Sequence, residues 1–335
     1  MKRRSFSKGI LLGMALIFGL GIAVPTISGS VALAAPAPEK VRLTLGGSNQ
    51  GTWIYMFSAI MADLWKRNIP GLDITVMATG GSSANYAPLD KGEMDMGAGS
   101  TCACYWARNG MHFTKTKLTN FRTLIPAGKP FNHFFTYADS PIKTLKDMDG
   151  KKVHLGARSS PTSLAIEEDF KVLGIKPSYV YSSPAEAIDM VKDRRVDAMA
   201  YGVGAPWSAI MDIVTTQPIK FIPMTPADQK KVVDAIPYEV ADVIPAGTYS
   251  FQKEDYHTTI QGVQNINVRQ GLSPDLTYKM AKVAWENWDE VVKATAAAKW
   301  VTAKNIVNMI APIDPGAAKY YKEIGIQIPD RLLVK

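Results

Sequence analysis

Residues 41–65 have the sequence VRLTLGGSNQGTWIYMFSAIMADLW, and this stretch decides the fold. Apolar and polar residues alternate from Val41 to Gly47, which predicts a β-strand. A polar loop follows at residues 48–52, and from Trp53 to Trp65 the apolar residues recur at helical spacing. The stretch therefore predicts a strand, a polar loop and a helix, in that order.

The same order of elements recurs twice in the following residues. Predicted strands at residues 73–79 and 94–98 each lead into a loop of small polar residues and then into a helix. Strands that alternate with helices indicate a parallel sheet with helices on both faces. A second run of the same kind extends from Lys152 to a helix that starts at Trp207. The sequence thus predicts two α/β units.

The division into lobes follows from the length of the chain and from its last third. With 335 residues the chain is long enough for two hydrophobic cores. Residues 259–268 predict one further strand of unusual polarity, and after Pro274 helices follow without a third sheet. We therefore predict two α/β lobes, each a mostly parallel sheet flanked by helices. Lobe 1 consists of residues 35–137 and 259–335, and lobe 2 of residues 138–258.

Residues 1–34 have the features of a signal peptide. A basic start precedes the apolar residues 10–24, and Ala32-Leu33-Ala34 favours cleavage after Ala34. Residues 3–8 resemble the twin-arginine motif, so the export route, Sec or twin-arginine, stays open. An uncleaved anchor is the weaker alternative, because about 15 apolar residues fall short of the roughly 20 in a membrane-spanning helix. We therefore predict a periplasmic protein.

The charge of the chain argues against nucleic acid as a partner. The formal net charge is +8, but four of the cations lie in the predicted signal peptide. No block of Lys and Arg in the remaining chain is long enough to follow a phosphate backbone. We therefore expect no nucleic-acid binding.

Both cysteines lie in the short segment Cys102-Ala103-Cys104. A disulfide across one residue is strained, so the two thiols either pair under strain or stay buried and inert. Redox catalysis is less favoured, because no basic residue beside them in sequence lowers a thiol pKa.

Three predicted strands end in a loop that begins a helix, at residues 48–52, 80–83 and 158–162. Free N–H groups in the first turn of a helix, with the positive end of its dipole, bind anions. In open α/β sheets, ligands bind at the carboxyl ends of strands, where such loops lie. Each loop alone could be an ordinary capped helix, but three together favour an anion site. Aromatic residues that either grip a small ligand or belong to the core follow such junctions: Trp53, Tyr55, Tyr105, Trp106 and Trp207.

Motifs for catalysis or metal binding are missing from the sequence. The four histidines lie far apart without HExxH or His-x-His spacing, and neither GxSxG nor GxxxxGK[ST] occurs. An enzyme would have to use Cys104, His133 or His154 as nucleophile or general base. We therefore predict a binding protein without metal or cofactor, and not an enzyme.

Several segments, in order and spacing, resemble the TAXI-type solute receptors of TRAP transporters. They cover nearly all of the chain after the signal peptide: residues 46–53, 79–85, 92–97, 143–153 and 245–249, with the helix start near Ser160 and Thr162. The resemblance implies a type II periplasmic-binding-protein fold, in which a cleft between two lobes captures a small solute. It also implies peripheral contact with the TRAP membrane permease subunits, which an ion gradient drives.

A few positions depart from the pattern of that family. Ser100-Thr101-Cys102 replaces a Gln-Ser/Ala-Asp-like stretch, Arg158 stands where Pro is common, and Asn265 lies in a returning strand that is typically apolar. The family takes up glutamate, glutamine or related organic acids, which implies a small carboxylate ligand. Two alternatives stay open: an exported enzyme that uses the cleft, and a receptor for an ABC permease or a sensor. The predicted ligand-binding residues are Ser48, Asn49, Gly51, Thr52, Trp53, Tyr55, Ser82, Asn85, Ser100, Thr101, Arg158, Ser159, Ser160, Thr162, Trp207 and Asn265.

Overall fold

The computed structural model describes residues 40–50 and 52–334. The predicted signal peptide lies outside the described residues, as does Gly51. Within these ranges, no helix has both the length and the apolar character that crossing a bilayer requires.

Strands and helices alternate through most of the described chain. The strands are β1 (Val41–Gly46), β2 (Leu72–Met77), β3 (Met96–Gly99), β4 (Phe121–Pro126), β5 (Phe131–Tyr137), β6 (Lys152–His154), β7 (Ser178–Val180), β8 (Ala198–Val203), β9 (Ile219–Phe221), β10 (Val240–Ile244), β11 (Tyr256–Ile260) and β12 (Asn265–Arg269). The α-helices are α1 (Trp53–Asn68), α2 (Ser82–Lys91), α3 (Thr101–Asn109), α4 (Pro161–Leu173), α5 (Pro184–Lys192), α6 (Ser208–Ile213), α7 (Pro226–Ala235), α8 (Pro274–Glu286), α9 (Trp288–Ala294) and α10 (Pro315–Glu323).

The first sheet has the strand order β2-β1-β3-β12-β4. β1 pairs in parallel with β2 and with β3, which confirms the arrangement predicted from the alternation of strands and helices. β12, from the C-terminal part of the chain, lies antiparallel between β3 and β4. The last strand of the chain therefore completes the sheet that the first strand began.

The second sheet has the order β10-β11-β5-β8-β6-β7, and β9 pairs with β5. β6 runs parallel to β7 and β8, whereas β5 runs antiparallel to β8, β9 and β11, and β10 antiparallel to β11. This sheet is therefore mixed and not mostly parallel as predicted. β5 thus belongs to this sheet, although the sequence led us to group residues up to 137 with the first unit. Every residue of β5 is buried, as in strands that are covered on both faces. The sequence pattern of such a strand does not indicate which sheet it joins.

Two segments connect the sheets and pair with each other: residues 127–130, between β4 and β5, and residues 261–264, between β11 and β12. The Ala127 N–H donates to the Gln264 carbonyl at 2.7 Å, and the Gln264 N–H donates to the Gly128 carbonyl at 2.7 Å. We call these two segments the crossing ribbon. The single strand predicted over residues 259–268 is therefore wrong: the stretch forms parts of β11 and β12, in different sheets, with the ribbon between them.

Side-chain caps define where the helices begin. Ser160 caps α4 by accepting the Ser163 N–H at 3.2 Å, and Pro161 takes the first helical position, as predicted. Thr52 caps α1 in the same way, by accepting the Tyr55 N–H at 3.4 Å. A cap satisfies only one of the N–H groups of the first turn. In α4, Pro161 has no N–H and the Ser160 N–H donates to the Ala157 carbonyl at 3.2 Å, which leaves the Thr162 N–H for a ligand.

The two cysteines are both buried and unpaired. Burial raises the pKa of each thiol to about 12, so neither is a thiolate near neutral pH. Of the two alternatives that the sequence left open, the structure shows the buried, inert one.

A pair of carboxyl groups lies buried between α4 and the second sheet. Asp169 is 0% exposed and Glu239 is 3% exposed. Asp169 Oδ2 accepts the Asn132 side-chain amide at 2.9 Å, whereas Asp169 Oδ1 and both Glu239 oxygens have no partner within residues 40–50 and 52–334. Burial, and then a neighbouring carboxylate, raises the pKa of both groups well above the usual range. The fold therefore retains protons here that an unfolded chain loses.

Asp169→Asn tests this protonation. A carboxyl group with a raised pKa stabilises the fold at low pH, and that contribution is lost as the pH rises through the folded pKa. We expect the unfolding free energy of Asp169→Asn to gain on that of the parent by up to about 1.4 kcal/mol per pH unit as the pH rises above about 4, the ordinary pKa of an aspartate, toward the raised folded pKa. Urea unfolding measures the difference. Asp189→Asn, at an exposed position, is the control, and a difference from the parent that stays constant with pH for Asp169→Asn would contradict the prediction.

Candidate ligand-binding site

Loops that follow strands of the first sheet reach the crossing ribbon. The Trp53 indole lies against Gly128 of the ribbon, where a Cβ would come within 2.6 Å of the ring. The Thr101 hydroxyl donates to the carbonyl of Val263, which also belongs to the ribbon. The starts of α1 and α3 are therefore both held beside the ribbon.

The second sheet reaches the same ribbon through Gln261. The Gln261 side-chain amide donates to the Thr162 carbonyl at 3.2 Å, in the first turn of α4. The same side chain covers Gly202 near the end of β8, where a Cβ would approach it to 2.5 Å. Gln261 was missing from the predicted site residues, although the unusual polarity of residues 259–268 was a signal for it.

The loops after β1 and β2 lie side by side. The Thr79 N–H donates to the Ser48 carbonyl at 3.1 Å, and a Cβ on Gly81 would lie 3.6 Å from Ser48 Oγ. Gly81 has a φ of +97°, a backbone conformation that favours glycine. Ser82 begins α2 half-buried, and Asn49 is exposed. The structure thus brings two of the three predicted loops together.

Asn85 ties the ends of β1 and β3 to each other from the inside. It is 1% exposed, and its Nδ2 lies within 3.3 Å of the carbonyls of Gly46, Gly47 and Ala98. The Tyr55 ring lies against Gly47, where a Cβ would approach it to 2.9 Å. The Asn85 NH2 group is thus used within the protein, whereas Asn85 Oδ1 has no partner among the described residues. A direct contact of Asn85 or Tyr55 with a ligand stays a prediction.

The predicted residues Ser100, Thr101 and Asn265 are all buried next to the ribbon. Ser100 Oγ accepts the Cys102 thiol at 3.2 Å. Asn265 donates to the Thr101 hydroxyl at 3.3 Å and accepts the Asn267 amide at 2.6 Å. These bonds support the loop after β3, and ligand contact by the three side chains stays a prediction.

Arg158 stands exposed in the loop before α4. Its guanidinium lies 4.1 Å from the centre of the Tyr181 ring, and the Tyr181 hydroxyl donates to Glu167 at 2.7 Å. A guanidinium stacked on a ring keeps its N–H donors at its edge, available to a carboxylate. The neighbouring Ser159 has a φ of +62°, and Ser160 is the cap of α4.

An aromatic wall, Tyr201 and Trp207, lies at the end of β8 and the start of α6. The rings stack with centres 4.9 Å apart at 18°, and both are half-buried. Gly156, with a φ of +84°, lies against the Tyr201 ring in a space that a Cβ would fill. Trp207 was predicted, but Tyr181 and Tyr201 were missed. Their signal was an aromatic residue near the carboxyl end of each of two predicted strands.

His154 is buried and forms hydrogen bonds with the loops that follow β6 and β7. Its Nδ1 accepts the Gly156 N–H at 3.0 Å, so its Nε2 carries the proton and donates to Ser182 Oγ at 2.8 Å. Burial lowers the pKa of His154 to about 4, so the ring is neutral near pH 7. Both ring nitrogens are engaged within the protein.

Two α/β sheets, a paired crossing and helix starts gathered at it are the architecture of type II periplasmic binding proteins. The crystal structure of SsuA, the periplasmic sulfonate-binding protein assigned to a sulfonate ABC transporter of Methylobacillus flagellatus KT, is similar, with a TM-score of 0.51 and 14% identity over 88% of this chain and 92% of SsuA. Escherichia coli SsuA gives a lower TM-score of 0.46, with 14% identity over 88% of this chain and 96% of that one. Bacillus subtilis YtmK, an extracellular-binding protein assigned to an amino-acid ABC transporter, gives a TM-score of 0.48, with 13% identity over 78% of this chain and 99% of YtmK. The fold is that of a type II periplasmic binding protein.

A family model also matches most of the sequence. The sequence matches the NMT1-like family over residues 45–325. That range includes the crossing ribbon and all three predicted helix starts. The chain belongs to the NMT1-like family.

His154→Asn tests the neutral state of the buried histidines. The pKa of His133 and of His154 is lowered by burial to about 4, so each stabilises the fold above its unfolded pKa and loses that effect as the pH falls toward 4. We expect His154→Asn to reduce the slope of unfolding free energy against pH by up to about 1.4 kcal/mol per pH unit between about pH 4.5 and 6. Urea unfolding gives the slope. His257→Asn, at an exposed position, is the control, and an unchanged slope for His154→Asn would refute the neutral assignment.

Proposed function

We propose that the protein binds a small organic anion, a carboxylate, in the periplasm and delivers it to a membrane permease. The observation that carries this proposal is that the first turns of α1, α3 and α4 all contact the crossing ribbon. The exposed guanidinium of Arg158 lies two residues before the cap of α4.

The electrostatics of the loop that contains Arg158 and leads into α4 favour an anionic ligand. The N–H groups at the start of α4 carry the positive end of its helix dipole. Arg158 takes part in none of the ion pairs found among the described residues. A carboxylate ligand would supply the opposite charge, and a guanidinium can hold it through two parallel hydrogen bonds.

The groups that an enzyme would need are engaged elsewhere. The Cys104 thiol is buried with a pKa raised to about 12. His154 uses both ring nitrogens inside the protein, and so does His133, between the Phe131 carbonyl and the Tyr249 hydroxyl. These observations favour binding without turnover over an exported enzyme.

For the permease we propose a TRAP transporter of the TAXI type, with peripheral contact to its membrane subunits. The support is the ordered series of sequence segments, from residues 46–53 to residues 245–249, that resembles that class. An ABC permease is the second candidate, favoured by the likeness in fold to SsuA of a sulfonate ABC transporter. Ligand uptake by cells that stops when the ion gradient is collapsed supports the first, and uptake that needs ATP without the gradient supports the second.

Two lobes and export complete the proposal. We place the boundary between the lobes at the crossing ribbon, so that residues 131–260 form the second lobe and the residues on both sides form the first. Residues 1–34 act as the export signal, and the fold shared with periplasmic SsuA fits that destination.

A ligand screen tests the proposed function. In a thermal-shift assay of the mature protein with amino acids and organic acids, at least one carboxylate should raise the melting temperature, because it binds only the folded state. Sulfonates matched in size serve as the comparison set. Sulfonate hits without carboxylate hits would refute the ligand class, and product formation from a hit would refute a pure binding role.

Arg158→Ala tests the anion grip. In the proposed complex the closed cleft desolvates the pair of Arg158 with the carboxylate. Loss of one partner of such a pair costs about 2 to 5 kcal/mol, so we expect affinity for the best carboxylate hit to fall at least about thirtyfold. Arg194→Ala is the matched control, because the Arg194 guanidinium also lies over a tyrosine ring, 4.6 Å from the centre of Tyr137. Arg194 differs in that it forms an ion pair with Asp139, and it lies in the segment that precedes β8. Calorimetry should show an unchanged affinity for the control. Equal affinities for both variants would remove Arg158 from the site.

A further inference from the structure

His133 is a fully buried histidine at the centre of an aromatic cluster. It lies on β5 and is 0% exposed. The ring centroids of Trp207, Phe221, Tyr249 and Tyr256 lie 5.9 to 6.4 Å from that of His133. Such a polar ring in an aromatic environment needs partners for both nitrogens.

The chemistry of the partners fixes the direction of each hydrogen bond. His133 Nδ1 lies 2.8 Å from the Phe131 carbonyl, which can only accept, so Nδ1 carries the proton. Nε2 must then accept, and the Tyr249 hydroxyl donates to it at 2.7 Å. The Tyr249 oxygen in turn accepts the Trp207 backbone N–H at 2.9 Å. We call this series, from Trp207 through Tyr249 to His133, the tyrosine relay.

The relay ends where the chain turns from β8 into α6. Pro206, just before Trp207, has no N–H to offer, and α6 begins without a side-chain cap. The bond to Tyr249 therefore holds the backbone at Trp207. That backbone carries the indole that stacks on Tyr201.

We propose that Tyr249 and His133 are positioning residues of the ligand site, which act by fixing Trp207 in the aromatic wall. This inference rests on the proposed function, in which Trp207 contacts the ligand. Without the Tyr249 hydroxyl, the Trp207 N–H and His133 Nε2 both lose their partner inside the protein. An unpaired buried polar group is costly, so the start of α6 has to shift, and the indole moves with it.

Tyr256 provides a matched control in the same cluster. It is 2% exposed, and its hydroxyl accepts the Phe134 N–H at 2.8 Å and donates to the Asn132 carbonyl at 3.0 Å. Tyr256→Phe therefore removes a buried hydroxyl that braces β5 and makes no bond to Trp207. A general loss of stability affects both variants, whereas displacement of Trp207 is expected only for Tyr249→Phe.

The first arm of the test needs no ligand. The protein has seven tryptophans, and incorporation of 5-fluorotryptophan gives each a fluorine resonance, with that of Trp207 assigned through Trp207→Phe. Tyr249→Phe should shift or broaden the Trp207 resonance, and Tyr256→Phe should leave it in place. A Trp207 resonance unmoved by Tyr249→Phe, or moved equally by both variants, would overturn the relay.

The second arm measures affinity for the carboxylate with the largest thermal shift. Tyr249→Phe should weaken binding about five- to tenfold, Tyr256→Phe should not, and Tyr249→Phe should have no further effect in a Trp207→Ala background. An equal loss in both backgrounds would show that Tyr249 acts independently of Trp207 and would overturn the positioning role. If no carboxylate binds the parent protein, the proposed function fails, and the fluorine arm still decides whether the relay positions Trp207.

Discussion

The arrangement of the site depends on the pairing between the two halves of the crossing ribbon. Two backbone hydrogen bonds of 2.7 Å, one donated by Ala127 and one by Gln264, join residues 127–130 to residues 261–264. One segment leads from β4 in the first sheet to β5 in the second, and the other leads from β11 in the second sheet back to β12 in the first. The two bonds therefore fix how the sheets connect. The helix starts that contact the ribbon are placed by the same bonds.

Several polar side chains near the candidate site form hydrogen bonds within the protein. Asn85 Nδ2 donates to strand-end carbonyls, and Asn265, His133 and His154 form their hydrogen bonds with residues of strands and loops. Rigid support of this kind keeps a binding loop in its bound geometry and so lowers the entropy lost on binding. Arg158 differs from them, because it is exposed and stacks on a ring instead of pairing with a carboxylate.

Sequence reasoning predicted the local elements better than their long-range partners. The strand, loop and helix order after β1, and the Ser160 cap with Pro161, depend on neighbouring residues and are confirmed. The sheet of β5 and the break between β11 and β12 depend on pairing with distant strands, which the pattern of apolar residues does not encode. The stack of Tyr201 on Trp207 and the relay through Tyr249 likewise join residues that only the fold brings together.

Hydrogen exchange with and without the best carboxylate tests the central claim most directly, namely that helix starts of both sheets form one anion site at the crossing ribbon. The account predicts slower amide exchange in peptides from both sheets, at residues 52–56, 79–84, 158–164 and 201–208, when the ligand is bound. The structure also has a separate surface cavity between residues 219–223 and 251–256. Protection confined to that cavity, or to the loops of one sheet, would contradict the account.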